Sequence, residues 1–300
     1  MNVVIVGLGS IGSRHARLLA EAHDVSVVSR RPQCEYPQFA SINSALASDD
    51  IDYVVIASPT EYHFEHLNEL SQLGFGGLVL IEKPLFDDGR SIPPLNVIRA
   101  GVGYNLRFHP VIDKVRHTVL GAEGVQHAEF VVGQHIEDWR PGRDYRTTYS
   151  ARLDRGGGVI RDLSHEIDLA RYIFGELEVL DCITGRRGSV EVDGPHEVIF
   201  RASASSCPDI SITMNCLDRP ARRSIRVDLG SESVSADLLT GRFDKSGSGA
   251  SFSIDRDYTY RLLHEAVISG RDDRLATLWD GEAVMNIIEE VDSRIAETSR

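Results

Sequence analysis

Positive charge, cysteine and long apolar runs are all scarce in this chain of 300 residues. Lys and Arg number 32 against 45 Asp and Glu, a formal net charge of −13. That balance opposes broad electrostatic attraction to nucleic acid or to an anionic membrane surface. No uninterrupted apolar stretch reaches the length that spans a bilayer. The four cysteines, Cys34, Cys182, Cys207 and Cys216, lack paired metal-ligand spacing. Reduced thiols in the cytoplasm, and no metal site, are the expectation. The amino end, MNVVIVGLGSIG, enters a strand with neither a basic region nor a cleavage site, so no signal peptide is expected. Internal repeats and low-complexity tracts are missing too. Hydrophobic residues nonetheless make up 42% and charged residues 26%, ordinary globular usage that lets a chain of this length fill two domains.

Up to about residue 105, short apolar runs alternate with helical patterns. The runs are Val3–Val6, Val25–Val28, Tyr53–Ala57, Leu78–Ile81 and Gly101–Tyr104, with helical stretches at Ile11–Ala22 and Glu61–Leu73. Such alternation predicts a parallel sheet covered on both faces, an α/β dinucleotide-binding Rossmann domain over 1–106. After Pro110 a helix near Val111–Leu120 leads into longer, partly alternating segments: Val125–Ile136, Leu177–Arg186, Glu197–Ala204, Ile210–Leu217, Ser224–Leu229 and Ser233–Leu238. This part, 107–300, reads as an α+β domain with a large, mostly antiparallel sheet. One periodic helix, Val159–Phe174, is embedded in it and closed by Gly175. A last helix is expected from about Gly281 to Ala296.

Gly7-Leu8-Gly9-Ser10-Ile11-Gly12 follows a strand and opens a helix. In that context Gly7 permits a tight turn, Gly9 lets a pyrophosphate approach the backbone, and Gly12 allows close helix–strand packing. The first helical N–H groups, from Ser10 and Ile11 onward, face the phosphates with the positive end of the helix dipole. At the end of the second strand, where NAD-binding folds place an acid for the ribose 2′-hydroxyl, stand Ser29, Arg30 and Arg31. A hydroxyl and two guanidinium groups suit a 2′-phosphate, so NADP is favoured, with NAD possible.

Three further segments stand at the ends of strands or at the opening of the embedded helix: Ile81-Glu82-Lys83-Pro84, the run Gly103-Tyr104-Asn105-Leu106-Arg107, and Gly156-Gly157-Gly158 leading to Asp162, His165 and Asp168. With Ser58-Pro59-Thr60-Glu61-Tyr62-His63 they resemble, in order and over nearly the whole chain, the Gfo/Idh/MocA oxidoreductases. The resemblance implies hydride transfer between a nicotinamide and a sugar-like carbinol, and an open sheet that joins subunits into a homodimer or homotetramer. It implies catalytic roles for Lys83, Asp162 and His165. Ser58, Pro59, Thr60, His63, Glu82 and Lys83 would lie on the cofactor, and Asn105, Arg107, Arg146 and Tyr149, with Asp162 and His165, on the substrate. Physical chemistry agrees. An imidazole with an ordinary pKa of roughly 6.5 can exchange the hydroxyl proton near neutrality, and an ammonium can stabilise developing alkoxide charge. Pro84 makes the Lys83–Pro84 bond a candidate for the cis form. Asp162 and His165, three apart, are expected on one helix face. Many family members place four steps there; here the histidine aligns through its H-x-x-D spacing to Asp168, so Asp162 is the position out of register.

A basic, aromatic loop runs from Trp139 to Arg155. Its five arginines (Arg140, Arg143, Arg146, Arg152, Arg155) oppose two aspartates in a chain of net charge −13. That contrast points to an anionic substrate, and the segment is similar to the variant of the family associated with nonulosonic-acid and nucleotide-sugar pathways. Two other functions use the same residues: a nicotinamide-retaining glycosidase of the same fold, and a non-catalytic NADP-binding regulatory protein.

Overall fold

The apolar runs of the amino-terminal third become strands buried on both faces, the condition that produces runs rather than alternation. β1 (Asn2–Val6), β2 (Asp24–Val28), β3 (Gln38–Phe39), β4 (Tyr53–Ile56), β5 (Leu78–Ile81) and β6 (Arg99–Val102) form a six-stranded sheet in the order β3-β2-β1-β4-β5-β6. Every pairing in it is parallel. Helices α1 (Ser10–Leu19), α2 (Ile42–Ser48) and α3 (His63–Gln72) fall between its strands. The strand order reverses between β1 and β4, where open α/β sheets leave a crevice at the carboxyl ends of the strands. This computed structural model describes residues 1–31 and 35–298; Cys34 lies outside the described residues.

The chain forms two compact units, Met1–Asn105 with Asp257–Met285, and Leu106–Arg256 with Asn286–Arg300. The first thus takes in a stretch beyond a single division at residue 106. The reason is burial: in the helix Tyr258–Ser269, Thr259, Leu263, Ala266 and Val267 recur at helical spacing and are all buried. Ala276 also pairs with Val102 of β6.

The second unit is built on β7 (His127–Gly133), β8 (Glu178–Gly185), β9 (Glu197–Ala204), β10 (Cys207–Asn215), β11 (Arg222–Asp228), β12 (Ser233–Asp237), β13 (Arg242–Lys245) and β14 (Ser248–Ser251), in the order β14-β13-β12-β11-β7-β10-β9-β8. All its pairings are antiparallel except that of β7 with β10. Side-chain alternation splits the sheet into rows. Cys182, Phe200, Ile212, Phe130, Ile225, Ala236 and Phe243 are successive cross-strand partners on the inner face. The adjacent row, Asp181, Arg201, Ser211, Glu129, Arg226, Ser235 and Asp244, is polar. Against this sheet pack α4 (Pro110–Leu120), α6 (Val159–Asp162) and α7 (His165–Phe174), while a single turn, α5 (Ile136–Trp139), comes after β7. His109 caps α4 by accepting the Val111 N–H, and Pro110 fills the first helical position. In chain order the last helices are α8 (Tyr258–Ser269) and α9 (Leu278–Thr298).

One expectation needs correction. The pattern over Val159–Phe174 predicts a single helix, and the structure breaks it at Leu163 and Ser164. There the N–H groups of Ser164 and Glu166 reach back three residues, to Arg161 and Leu163, instead of four. The tightened turn ends α6 and starts α7, so Asp162 closes one helix and His165 opens the other.

A buried ion pair ties the start of the second unit to α7. The Arg107 guanidinium, 4% exposed, donates to both carboxylate oxygens of Asp168, 1% exposed, at 2.6–3.1 Å. It also lies over the Tyr172 ring at 4.8 Å, with Arg116 over the same ring at 4.6 Å. Removing one member strands the other charge in a low-dielectric interior. Arg107→Leu is therefore expected to lower unfolding free energy by about 3–5 kcal/mol, and adding Asp168→Leu to recover most of that loss. Urea unfolding of both variants checks this; a loss below about 1 kcal/mol for Arg107→Leu would show that the pair does not hold the unit together.

Candidate functional site

In the first unit the glycine-rich turn is shaped by close backbone approach. Gly7 has φ +94°, and a Cβ there would sit 2.7 Å from the Ser58 backbone. A Cβ on Gly12 would meet the Gly7 carbonyl at 2.0 Å, whereas one on Gly9 would meet nothing within 4 Å. The turn is closed on its strands at Gly7 and Gly12 and open at Gly9. Ser10 and Ile11 begin α1, whose first turn carries no acidic residue and no side-chain cap. Open backbone beside uncapped helical N–H groups is the donor set that fits a dinucleotide pyrophosphate. Past β2, Ser29 is half-buried and Arg30 and Arg31 are exposed. The Ser29 hydroxyl accepts the Arg31 N–H at 3.1 Å, and Gln38 donates to the Ser29 and Arg31 carbonyls.

The loop after β4 and the loop after β5 are joined by His63. Its Nδ1 lies 3.0 Å from the Pro84 carbonyl oxygen and its Nε2 3.0 Å from that of Ser58. The imidazole is only 1% exposed, so His63, expected on the cofactor, instead braces the two loops from within. Burial lowers its pKa. Neighbouring His66, bonded to the Ser58 hydroxyl, is pushed down to about 4 by burial and then by His63. Pro59 is exposed and Thr60 is buried. The Lys83–Pro84 bond is cis, and Lys83 is half-buried. Glu82 is buried, and its carboxylate turns inward to His15 at 2.9 Å. Asn105, expected on the substrate, is buried and donates to Thr259 at 2.7 Å. His15, Tyr53 and His264, buried beside Glu82, escape sequence reading. The signal for His15 is a polar ring on an otherwise apolar helix face, beside Ala16, Leu18 and Leu19 on α1.

In the second unit a concavity of about 230 Å³ is lined by Gln134, Trp139, Arg140, Ser150, Asp162 and Leu163. Arg140 lies over the Tyr149 ring at 4.6 Å. Asp162 first, and then burial, hold the Tyr149 phenol well above its ordinary pKa. The structure thus brings Asp162, Tyr149 and Arg140 together. His165 is buried and is not part of that lining. Arg146, expected as the anion grip, is half-exposed and bonded to Asp144 and Glu191. Arg152 is likewise held by Asp154 and Asp193, and Arg107 by Asp168. Local acids thus engage two of the loop's five arginines, while Arg140 faces the concavity.

Residues 1–92 match the family model GFO_IDH_MocA, described as an oxidoreductase family with an NAD-binding Rossmann fold. Inositol 2-dehydrogenase of Rhizobium meliloti (strain 1021) is 28% identical over 189 residues, 57% of this chain and 54% of that protein. The chain thus spans about half the length of that curated relative. Among solved structures, levoglucosan dehydrogenase in complex with NADH and L-sorbose has a TM-score of 0.85 at 15% identity, covering 99% of this chain and 97% of its own. WlbA dehydrogenase from Bordetella pertussis in complex with NADH and UDP-GlcNAcA has a TM-score of 0.83 at 16% identity, covering 99% and 96%. At such identities the likeness is one of fold. The glycine-rich turn and strands β1 to β5 lie within the matched residues, so that part of the chain is similar to the NAD-binding Rossmann fold of that oxidoreductase family.

Proposed function

We propose that the protein is an NAD(P)-dependent oxidoreductase acting on a secondary alcohol or ketone of a sugar-like, anionic substrate. The observation that carries this reading is the carboxyl edge of the first sheet. The open glycine turn after β1 and the Lys83 turn after β5 emerge there with only β4 between them. A nicotinamide held at that edge would supply the hydride chemistry. Lys83 donates a hydrogen bond to the reacting oxygen and stabilises its developing charge. His165, whose Nδ1 is buried, exchanges the hydroxyl proton at Nε2. Asp162, beside Tyr149, orients the substrate rather than taking the proton. The likeness to inositol and levoglucosan dehydrogenases supports a polyol substrate. Screening inositols, levoglucosan, uronic acids and nucleotide sugars for NADH or NADPH formation at 340 nm tests the reading; no turnover with any of them would count against it.

NADP is the preferred cofactor in this reading, because Ser29, Arg30 and Arg31 stand at the end of β2 with no acid in the segment to repel a 2′-phosphate. The substrate's anionic group is assigned to Arg140, which lines the concavity, in place of Arg146, which is held by two acids. The open sheet of the second unit, with Ile183 of β8 66% exposed, is the surface through which a homodimer or homotetramer forms.

Three outcomes are expected. Lys83→Ala lowers kcat by about a hundredfold or more while NAD(P)H binding, read by fluorescence, persists; near-normal turnover would remove Lys83 from the chemistry. Arg30→Ala with Arg31→Ala weakens NADP binding by about tenfold or more and leaves NAD binding within about twofold. Equal losses for both cofactors would reject the 2′-phosphate assignment. Arg140→Ala raises KM for an anionic sugar by about tenfold with cofactor affinity unchanged, and Arg146→Ala changes it far less. The reverse ranking in steady-state kinetics would return the anion grip to Arg146.

A further inference from the structure

Four ionisable side chains of the first unit are buried in one line: Tyr53 of β4, His264 of α8, His15 of α1, and Glu82 just past β5. None is more than 6% exposed. The Tyr53 hydroxyl lies 2.9 Å from His264 Nδ1, His264 Nε2 lies 2.8 Å from His15 Nδ1, and His15 Nε2 lies 2.9 Å from Glu82 Oε1. The second carboxylate oxygen, Oε2, accepts the main-chain N–H of Lys83 at 3.3 Å. Buried polar atoms are tolerated only when each donor meets an acceptor, so the protons in this line must be ordered.

A neutral imidazole has one donor and one acceptor nitrogen, which permits two orders. In the first, Tyr53 donates to His264, His264 to His15, and His15 to a Glu82 carboxylate. In the second every arrow reverses, Glu82 carries the proton, and the Tyr53 O–H must find another acceptor. Tyr53 is fully buried and, among the described residues, its hydroxyl has no partner but His264. The second order would leave that buried O–H without an acceptor, which is destabilising. Burial also drives the His264 pKa well below its ordinary value and the Tyr53 pKa well above, which keeps the imidazole neutral and the phenol protonated. The first order is the one the geometry supports.

We propose that His15 and His264 are positioning residues for Lys83, acting through this one-directional chain of hydrogen bonds that ends on Glu82. The chain fixes Oε1, the rigid carboxylate then presents Oε2 to the Lys83 N–H, and the turn bearing the lysine is held in register with α1. That helix is the one whose first turn opens beside the glycine cradle. Gly103 leaves room for the arrangement: a Cβ there would stand 2.8 Å from Glu82 Oε1. Each end of the line is main chain or a sheet residue, so a break anywhere releases the carboxylate. The proposal rests on the reading of Lys83 as the group at the reacting oxygen.

The test uses the full chain labelled with ¹⁵N. His264 is expected as the neutral Nε2–H tautomer from pH 6 to 8; an Nδ1–H tautomer or an imidazolium there overturns the order. His264→Phe should speed hydrogen exchange of the Lys83 amide about tenfold or more while the amides of Val55 and Leu80 in the same sheet exchange as before. NADH affinity, read by fluorescence, should stay within about threefold. With the sugar that supports turnover, kcat should fall about tenfold and KM for the cofactor should hold. An unchanged Lys83 amide, or equal acceleration across the sheet, would make the histidines packing residues only. Should His264→Phe fail to fold, Tyr53→Phe removes only the terminal donor and should still speed the Lys83 amide, by about threefold. Absence of turnover in the unmodified protein would overturn the oxidoreductase reading alone, since the tautomer and amide exchange decide the positioning role without it.

Discussion

The Glu82 carboxylate is buried at the carboxyl edge of a parallel sheet, and much of the first unit is arranged around keeping it hydrogen-bonded. An unpartnered carboxylate in such a place would be strongly destabilising. Its partners come from α1 and, through His15, from α8 and β4, elements far apart in sequence. The position of α1 is thereby set twice: at its start by Gly12 pressed on the Gly7 carbonyl, and within its second turn by His15. The stretch 257–285 rejoins the amino-terminal sheet for the same reason, because α8 supplies His264 as well as its apolar face.

The second unit solves a comparable problem with an ion pair. Arg107 and Asp168 are both almost wholly buried, and the bidentate contact satisfies each while Tyr172 covers the guanidinium. Around it the eight-stranded sheet separates apolar and polar rows by simple alternation. The basic loop of 139–155 is more divided than its composition implies. Arg146 and Arg152 meet carboxylates from the same loop and from the 191–193 segment, which leaves Arg140 and its aromatic neighbours to shape the concavity beside Asp162.

Some features are readable residue by residue. The parallel sheet follows from apolar runs separated by helices, and the nucleotide cradle from glycines at Gly7, Gly9 and Gly12 in a strand-to-helix context. The proline makes Lys83–Pro84 a candidate for the cis form that the fold adopts. Other features carry little local signal. The strand Ser248–Ser251 is short, fully exposed and without apolar alternation, so its pairing to β13 is visible only in the folded sheet. The helix Ile42–Ser48 is one capping box and two turns, supported by Ile42 and Ala45 alone. The break at Leu163 and Ser164 leaves helical periodicity intact on both sides, and periodicity cannot report a change from four-residue to three-residue hydrogen bonds.

The division has a physical basis. Sequence by itself determined what local chemistry dictates: strand and helix periods, the permissive glycines, the proline, and the supply of acids and bases. Tertiary structure alone decided which polar groups would satisfy one another. Arg107 could have faced a substrate, His63 a cofactor and Arg146 an anion, and no spacing in the chain distinguishes those roles from the internal bonds they make. A buried donor takes whichever acceptor the packing brings within reach, and that choice joins Glu82 to His15, 67 positions away along the chain, and His15 to His264, 249 positions away.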